Sequence, residues 1–139
     1  MIRLQPIASV KDSAALMKLI PEELLALADG RGPWTSYVAI AAHEVAVGAC
    51  AFKGGPTTMK EVEIAYLTFP EHEGHGHATA MARSLLEIAA QSGEVERVIA
   101  HTLREENASV RICRRLGFVL DGEVLDPTDG PVWRWKKPV

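Results

Sequence analysis

The stretch EVEIAYLTFPEHEGHGHATAMARSLLEIA, residues 61–89, changes its periodicity midway, and no other feature constrains the fold as much. Residues 61–69 alternate, with Val62, Ile64 and Tyr66 on one face and Glu61, Glu63, Ala65 and Leu67 on the other, as a strand requires. From Ala78 the spacing becomes helical: Ala78, Met81, Ala82, Leu85, Ile88 and Ala89 form one apolar stripe, while Arg83, Glu87 and Gln91 lie elsewhere. Ser92-Gly93 closes that helix. Between strand and helix sits EHEGHGHA, a turn with glycines at positions 74 and 76. A strand that feeds a glycine turn and an amphipathic helix implies a helix packed on a sheet.

The flanking segments extend this pattern. IRLQPI predicts a short first strand whose proline places it at an edge. DSAALMKLIPEELLALADG predicts two short helices, with Pro21 in the first turn of the second and Gly30 at its end. TSYVAIAA and VAVGACAFK, separated by His43-Glu44, read as a hairpin. ERVIAHTL is a further strand, and ENASVRICRRLG a helix with Asn107 as N-cap and Gly117 just past its end. FVLDGEV and PVWRWKK flank the turn-rich DPTDG, and Trp133 and Trp135 share a face of the last strand. The expected fold is α/β (α+β), with a mixed, mostly antiparallel sheet of six to seven strands and helices on both faces, in one domain over residues 1–139.

The glycine turn allows two chemistries. As a phosphate cradle, it uses the unpaired amides and positive dipole end of the following helix, with Gly74 and Gly76 letting the backbone approach a ligand closely. It is neither a P-loop, which needs Lys-Ser/Thr after its last glycine, nor a dinucleotide fingerprint, which opens a first βαβ unit and needs a third small residue where Thr79 stands. As a metal site, His72, His75 and His77 would have to converge, yet His75 and His77 lie two apart at a helix start and point in different directions. Their spacing is not that of His-Glu-x-x-His. No metal is therefore expected.

Composition removes other classes. The net charge of -3 gives no basic field for nucleic acid or anionic lipid, so neither partner is expected. Cys50 and Cys113 are too few for a disulfide framework and predict reduced thiols and a cytoplasmic setting. MIRLQPIASV lacks the apolar run of a signal peptide.

EIAYLTFPEHEGHGHATAMARSLLEIA followed by VIAHTLREENASVRICRRLGF resembles the GNAT N-acetyltransferase superfamily, especially the branch that contains ribosomal-protein N-terminal acetylases. The resemblance implies acetyl-CoA as co-substrate, an amine acceptor that is a small molecule or peptide, and a homodimer. It implies that the amides from Glu73 through Gly74, His75, Gly76 and His77 to Ala78 hold the pyrophosphate, and that the backbone of Leu67, Thr68 and Phe69 pairs with the pantetheine arm. Three positions depart from the family pattern. Glu73 stands where relatives carry a cationic or aromatic residue, Ala80 replaces an acidic residue, and Glu106 occupies the usual Asn position, so a pantetheine contact passes to Asn107.

Acetyl transfer to an amine needs a base for the ammonium proton and a donor for the oxyanion. The family often places its base on the strand leading into the loop, which points to Glu63, nearer the acetyl position than Glu61. His101 is a second base candidate at the end of its strand. The donor is expected to be a strand amide near Leu67. Cys113 takes the place of the tyrosine that many relatives use as acid, on a helix face shared with Val110 and Leu116. Trp34, in a loop that borders the acceptor cleft in the family, is the expected acceptor contact. Two other functions stay open: a GNAT-like module that binds acyl-CoA without turnover, and a metal-dependent hydrolase built on the loop histidines.

Overall fold

The computed structural model describes residues 1–139 and contains one seven-stranded sheet in the order β1-β2-β3-β4-β5-β7-β6. The strands are β1 (Arg3–Pro6), β2 (Ser36–Ala41), β3 (Val45–Phe52), β4 (Glu61–Thr68), β5 (Arg97–Thr102), β6 (Val119–Asp126) and β7 (Gly130–Pro138). Only β4 and β5 run parallel; every other pair is antiparallel. That single parallel pair is the one joined through a long helix, because parallel neighbours need a crossover. β1 lies at one edge, as its proline predicts.

The helices are α1 (Ala14–Met17), α2 (Glu22–Leu25), α3 (His77–Ser92) and α4 (Ala108–Arg115). α1 and α2 are shorter than the sequence suggests, each a single turn, and the Ser13 hydroxyl caps α1 by accepting from the Leu16 N–H. Helices cover both faces. On one face Met81, Ala82, Leu85 and Ala89 of α3 and Val110 and Cys113 of α4 pack on Val62, Ile64, Val98 and Trp135. On the other, Ile20 and Leu24 meet Ile7, Val38, Ala49 and Phe69.

The α3 stripe differs from its predicted form in one respect: Leu86 is buried and Ile88 only partly so. α4 is bounded as its sequence indicates. The Asn107 side chain accepts from the Val110 N–H at 2.9 Å. At the other end Gly117 (φ 90°) turns the chain, so that the Phe118 N–H reaches the Cys113 carbonyl (2.9 Å) and the Gly117 N–H that of Arg114 (3.1 Å). Phe118 then folds into the core. Of the two C-terminal tryptophans, Trp135 is buried and donates its indole N–H to Thr102 Oγ1 at 2.9 Å, while Trp133 is half-buried on the same face. No helix is long and apolar enough to cross a membrane.

Candidate active site

β4 and β5 separate partway along their length, and the site lies in the opening. Their ladder pairs Glu61 through Ile64 with Arg97 through Ala100 and stops there. β4 continues beside β3 in unbroken antiparallel register, with Leu67 opposite Ala49 and Thr68 opposite Gly48. Along that pair the Lys53 N–H meets the Glu63 carbonyl (2.8 Å) and the Phe69 N–H meets the Val47 carbonyl (2.8 Å). Hydrogen-bonded pairs alternate in an antiparallel ladder, so the odd-numbered residues of β4 spend their peptide groups on β3. The peptide groups of Tyr66 and Thr68 face the gap instead. The sequence expects a strand amide near Leu67, and the register narrows the candidates to Tyr66 and Thr68 on either side of it.

Two clefts open on the two sides of this gap and meet at Tyr66, Leu67 and Ser109, which line both. The larger, of about 500 Å³, runs from the gap to the start of α3. Gly74 (φ 83°) and Gly76 (φ 79°) both take the left-handed conformation, and nothing lies within 4 Å of where a Cβ would stand on either. Gly76 is the N-cap of α3 and offers no side chain to its amides. The first N–H of the helix to find an internal partner is that of Ala80, on the Gly76 carbonyl at 3.1 Å. The amides of His77, Ala78 and Thr79 are left pointing out of the helix end, with the positive end of a sixteen-residue dipole behind them. This is a ready anion site.

Seven residues expected at the cofactor do line this cleft: Leu67, Thr68, Glu73, Gly74, Gly76, His77 and Ala78. Three do not. Phe69 is buried in the second core cluster with its N–H already bonded to β3. His75 is exposed and outside the lining. Asn107 has its Oδ1 committed to capping α4, and Ala108, Ser109 and Ile112 face the cleft in its stead. The loop histidines do not converge on a common point either. The one set of three ligand-type side chains with atoms within 4.8 Å of one another is Glu63, His101 and Asp126. His77 is held below the ordinary histidine pKa by partial burial and by the neighbouring His75 and His72.

The smaller cleft, of about 210 Å³, holds the titratable groups. Glu61 is not among them: its carboxylate is taken by Arg97 (2.9 Å) and Arg134 (3.3 Å). Glu63 faces the cleft, with Oε2 3.4 Å from His101 Nδ1 and 3.3 Å from Lys53 Nζ. Asp126, 8% exposed, lies with Oδ2 3.3 Å from the same His101 nitrogen. Its other oxygen accepts the Thr128 and Asp129 amides at 2.8 and 3.1 Å. Burial would raise the Asp126 carboxyl, but those amides, His101 and Lys53 together hold it below the usual range. His101 Nε2 is buried without a partner, whereas Nδ1 faces two acceptor oxygens. In the uncharged form this geometry favours the proton on Nδ1 and leaves the unpaired nitrogen as a lone pair, the cheaper group to bury alone.

Trp34 lies elsewhere. It is 8% exposed, meets Phe52 edge-to-face at 4.9 Å between centroids, and lines neither cleft. A tryptophan in a loop is drawn into a core by its apolar area, and here that pull places it under the sheet. Sequence reasoning passed over Tyr66, whose hydroxyl lies 3.4 Å from Ser109 Oγ and 3.9 Å from Cys113 Sγ. Burial pushes the Tyr66 phenol well above its ordinary value and the Cys113 thiol up to about 11. Cys113 does stand beside a tyrosine hydroxyl, but that tyrosine comes from β4 rather than α4.

A sheet that splays at one parallel pair, with a glycine-capped helix start at its mouth, defines a class, and sequence comparison names it. The profile of the acetyltransferase (GNAT) domain matches residues 5–119, and the chain belongs to the GNAT superfamily. No curated protein matches the sequence. Among solved structures the fold is similar to RimL, a ribosomal alpha-N-protein acetyltransferase in complex with coenzyme A (19% identity, TM-score 0.66, 75% of this chain and 61% of that one). The chain thus spans about three fifths of that relative's length. It is also similar to the spermidine/spermine N-acetyltransferase SpeG from Vibrio cholerae (16% identity, TM-score 0.75, 99% and 91% covered). A third likeness is to the aminoglycoside acetyltransferase AAC(6')-Ib with coenzyme A (18% identity, TM-score 0.71, 99% and 94% covered). At these identities the likeness is one of fold.

Proposed function

We propose that this chain moves an acetyl group from acetyl-CoA to a primary amine by direct attack in a ternary complex. The observation that carries the reading is the junction of the two clefts at Tyr66, Leu67 and Ser109, where the β4–β5 ladder has opened. A linear cofactor entering on one side and an amine on the other would meet there. Membership of the GNAT superfamily, and relatives solved with coenzyme A or acetyl-CoA, support the same assignment.

The residues of the larger cleft fit a CoA arm. The unpaired amides of His77, Ala78 and Thr79 suit its pyrophosphate, and the bare backbone at Gly74 and Gly76 permits close approach. The free peptide groups of Tyr66 and Thr68 can pair with the pantetheine amides as an added strand. Acetyl-CoA supplies an activated acyl group on a thiol that leaves readily.

On the acceptor side Glu63 takes the ammonium proton, directly or through water, and so exposes the amine lone pair. His101 is a positioning residue in this scheme. Its Nδ1–H holds Glu63 at the cleft wall, and Asp126, itself fixed by two backbone amides, holds the ring. The Tyr66 N–H, free of β5, is placed to stabilise charge on the acetyl oxygen. The Tyr66 phenol, at the junction of the two clefts, is a hydrogen-bond donor for the departing thiolate, and because burial holds it above its ordinary pKa it assists by hydrogen bonding in this scheme.

Calorimetric titration with acetyl-CoA, followed by CoA release over a panel of primary amines, tests the proposal. Binding with amine-dependent CoA release is the expected result. Failure to bind at millimolar acetyl-CoA by the folded protein would overturn it, and binding without release from any amine would favour the acyl-CoA-binding module. Glu73 adds a separate expectation. Glu73 lines the larger cleft, where anionic phosphates are expected, so Glu73→Gln should tighten acetyl-CoA binding by about two- to fivefold, the scale of one exposed charge pair. Unchanged affinity would mean that the carboxylate turns toward solvent.

A further inference from the structure

The acceptor cleft has a charge and a size, and together they select among amines. Glu23, Glu63, Asp126 and Asp129 line it against a single fixed cation, Lys53, so its carboxylates outnumber its fixed cations by three. The charges are graded in depth. Asp126 and Glu63 lie inside, with side chains 7% and 26% exposed, whereas Glu23 (46%) and Asp129 stand at the rim. The cleft is also narrow: about 210 Å³ is below the roughly 300–1,000 Å³ usual for drug-sized ligands.

An ammonium already sits in it. Lys53 reaches from just beyond the end of β3 and places Nζ 2.8 Å from Glu23 Oε1 and 3.3 Å from Glu63 Oε2. Burial would pull its pKa down, yet Glu23 and Glu63 lift it above the ordinary value, so the walls favour an alkylammonium over a neutral amine. A primary aliphatic ammonium on a four-carbon stem therefore fits between these carboxylates, and the chain's own lysine demonstrates the geometry. One tethered cation leaves the remaining negative charge unmatched.

We propose that the acceptor is a slender, unbranched aliphatic polyamine with at least two ammonium groups. One end enters between the splayed strands and gives up its proton toward Glu63. A second ammonium, a few methylenes away, meets the rim carboxylates of Glu23 and Asp129. The inference rests on the acetyl-transfer reading, and it excludes two acceptor classes. Amino acids bring a carboxylate into a negative cleft, and polycyclic aminosugars exceed its volume.

The test is CoA release from acetyl-CoA with three linear acceptors of matched length: 1,4-diaminobutane, 1-aminopentane and 5-aminopentanoate. The expected order of kcat/KM is diamine, then monoamine, then amino acid, with the first step about tenfold at low salt and shrinking as salt screens the rim. Asp129→Asn should cut the diamine-to-monoamine ratio by about two- to fivefold. Equal kcat/KM for diamine and monoamine, or a ratio untouched by both salt and Asp129→Asn, would overturn the polyamine assignment while leaving acetyl transfer standing. A terminal amine turned over only when presented on a peptide would overturn it as well. If no amine releases CoA, acetyl transfer fails, and titration of the same three compounds onto the CoA-bound protein still decides which charge pattern the cleft prefers.

Discussion

Gly76→Val is expected to weaken acetyl-CoA binding by about a hundredfold while the protein stays folded. Two effects combine at this position. Gly76 holds φ at 79°, and a left-handed conformation costs an ordinary residue about 1–2 kcal/mol, with a β-branched residue at the upper end. Relief of that strain would rotate the cap and turn the first amides of α3 away from the cleft, and each charge-assisted hydrogen bond lost is worth about 1.5–3 kcal/mol. The space beside Gly76 is open, so the new side chain meets no core atom, and stability should fall by little more than the strain. Calorimetric titration gives the affinity, and thermal melting followed by circular dichroism gives the stability. An affinity within threefold of the parent would place the phosphates elsewhere.

The second large effect belongs to Glu63. Glu63→Gln keeps the shape and removes the proposed base, so kcat/KM for the amine should fall by about 10²- to 10⁴-fold with acetyl-CoA affinity unchanged. Raising the pH should restore part of the loss, because an amine that has already shed its proton needs no base. His101→Asn should cost less than Glu63→Gln, since it removes only the group that holds the carboxylate. The reverse order of severity would exchange the two roles. Glu61→Gln provides the contrast: its carboxylate bridges Arg97 and Arg134 and lies outside both clefts, so its effect should appear in melting temperature.

Local rules made much of this architecture legible. The alternation in β4, the Asn107 cap and the turn at Gly117 depend on residues within a few positions of each other and formed as read, and the apolar stripe of α3 did so apart from Leu86 and Ile88. Facts set by register were not legible. Whether Leu67 or Tyr66 offers its N–H to the gap depends on which β4 residues pair with β3, and a shift of one residue reverses the answer. Distance along the chain hid Asp126, which sits 25 residues beyond His101 at the end of β6, beside a turn that resembles an ordinary hairpin connection. Trp34 was misplaced for a different reason, because a large aromatic beside a cleft and one beneath a sheet look alike in sequence. Tyr66 sat in plain view on the alternating strand, on the face it shares with Val62 and Ile64. Its reach to α4 depends on a strand-to-helix contact 43 residues apart.

The strand order carries a consequence for biosynthesis. β7 lies between β5 and β6, so β5 gains its second neighbour only after residues 130–138 have been made. A ribosome delivers β1 through β6 first, at about 5–20 residues per second. Throughout that interval the strand bearing His101 has one bare edge, Thr102 lacks the Trp135 indole, and β6 has no partner to hold Asp126 in place. The surroundings of His101 and Asp126 are thus the last part of the sheet to be completed.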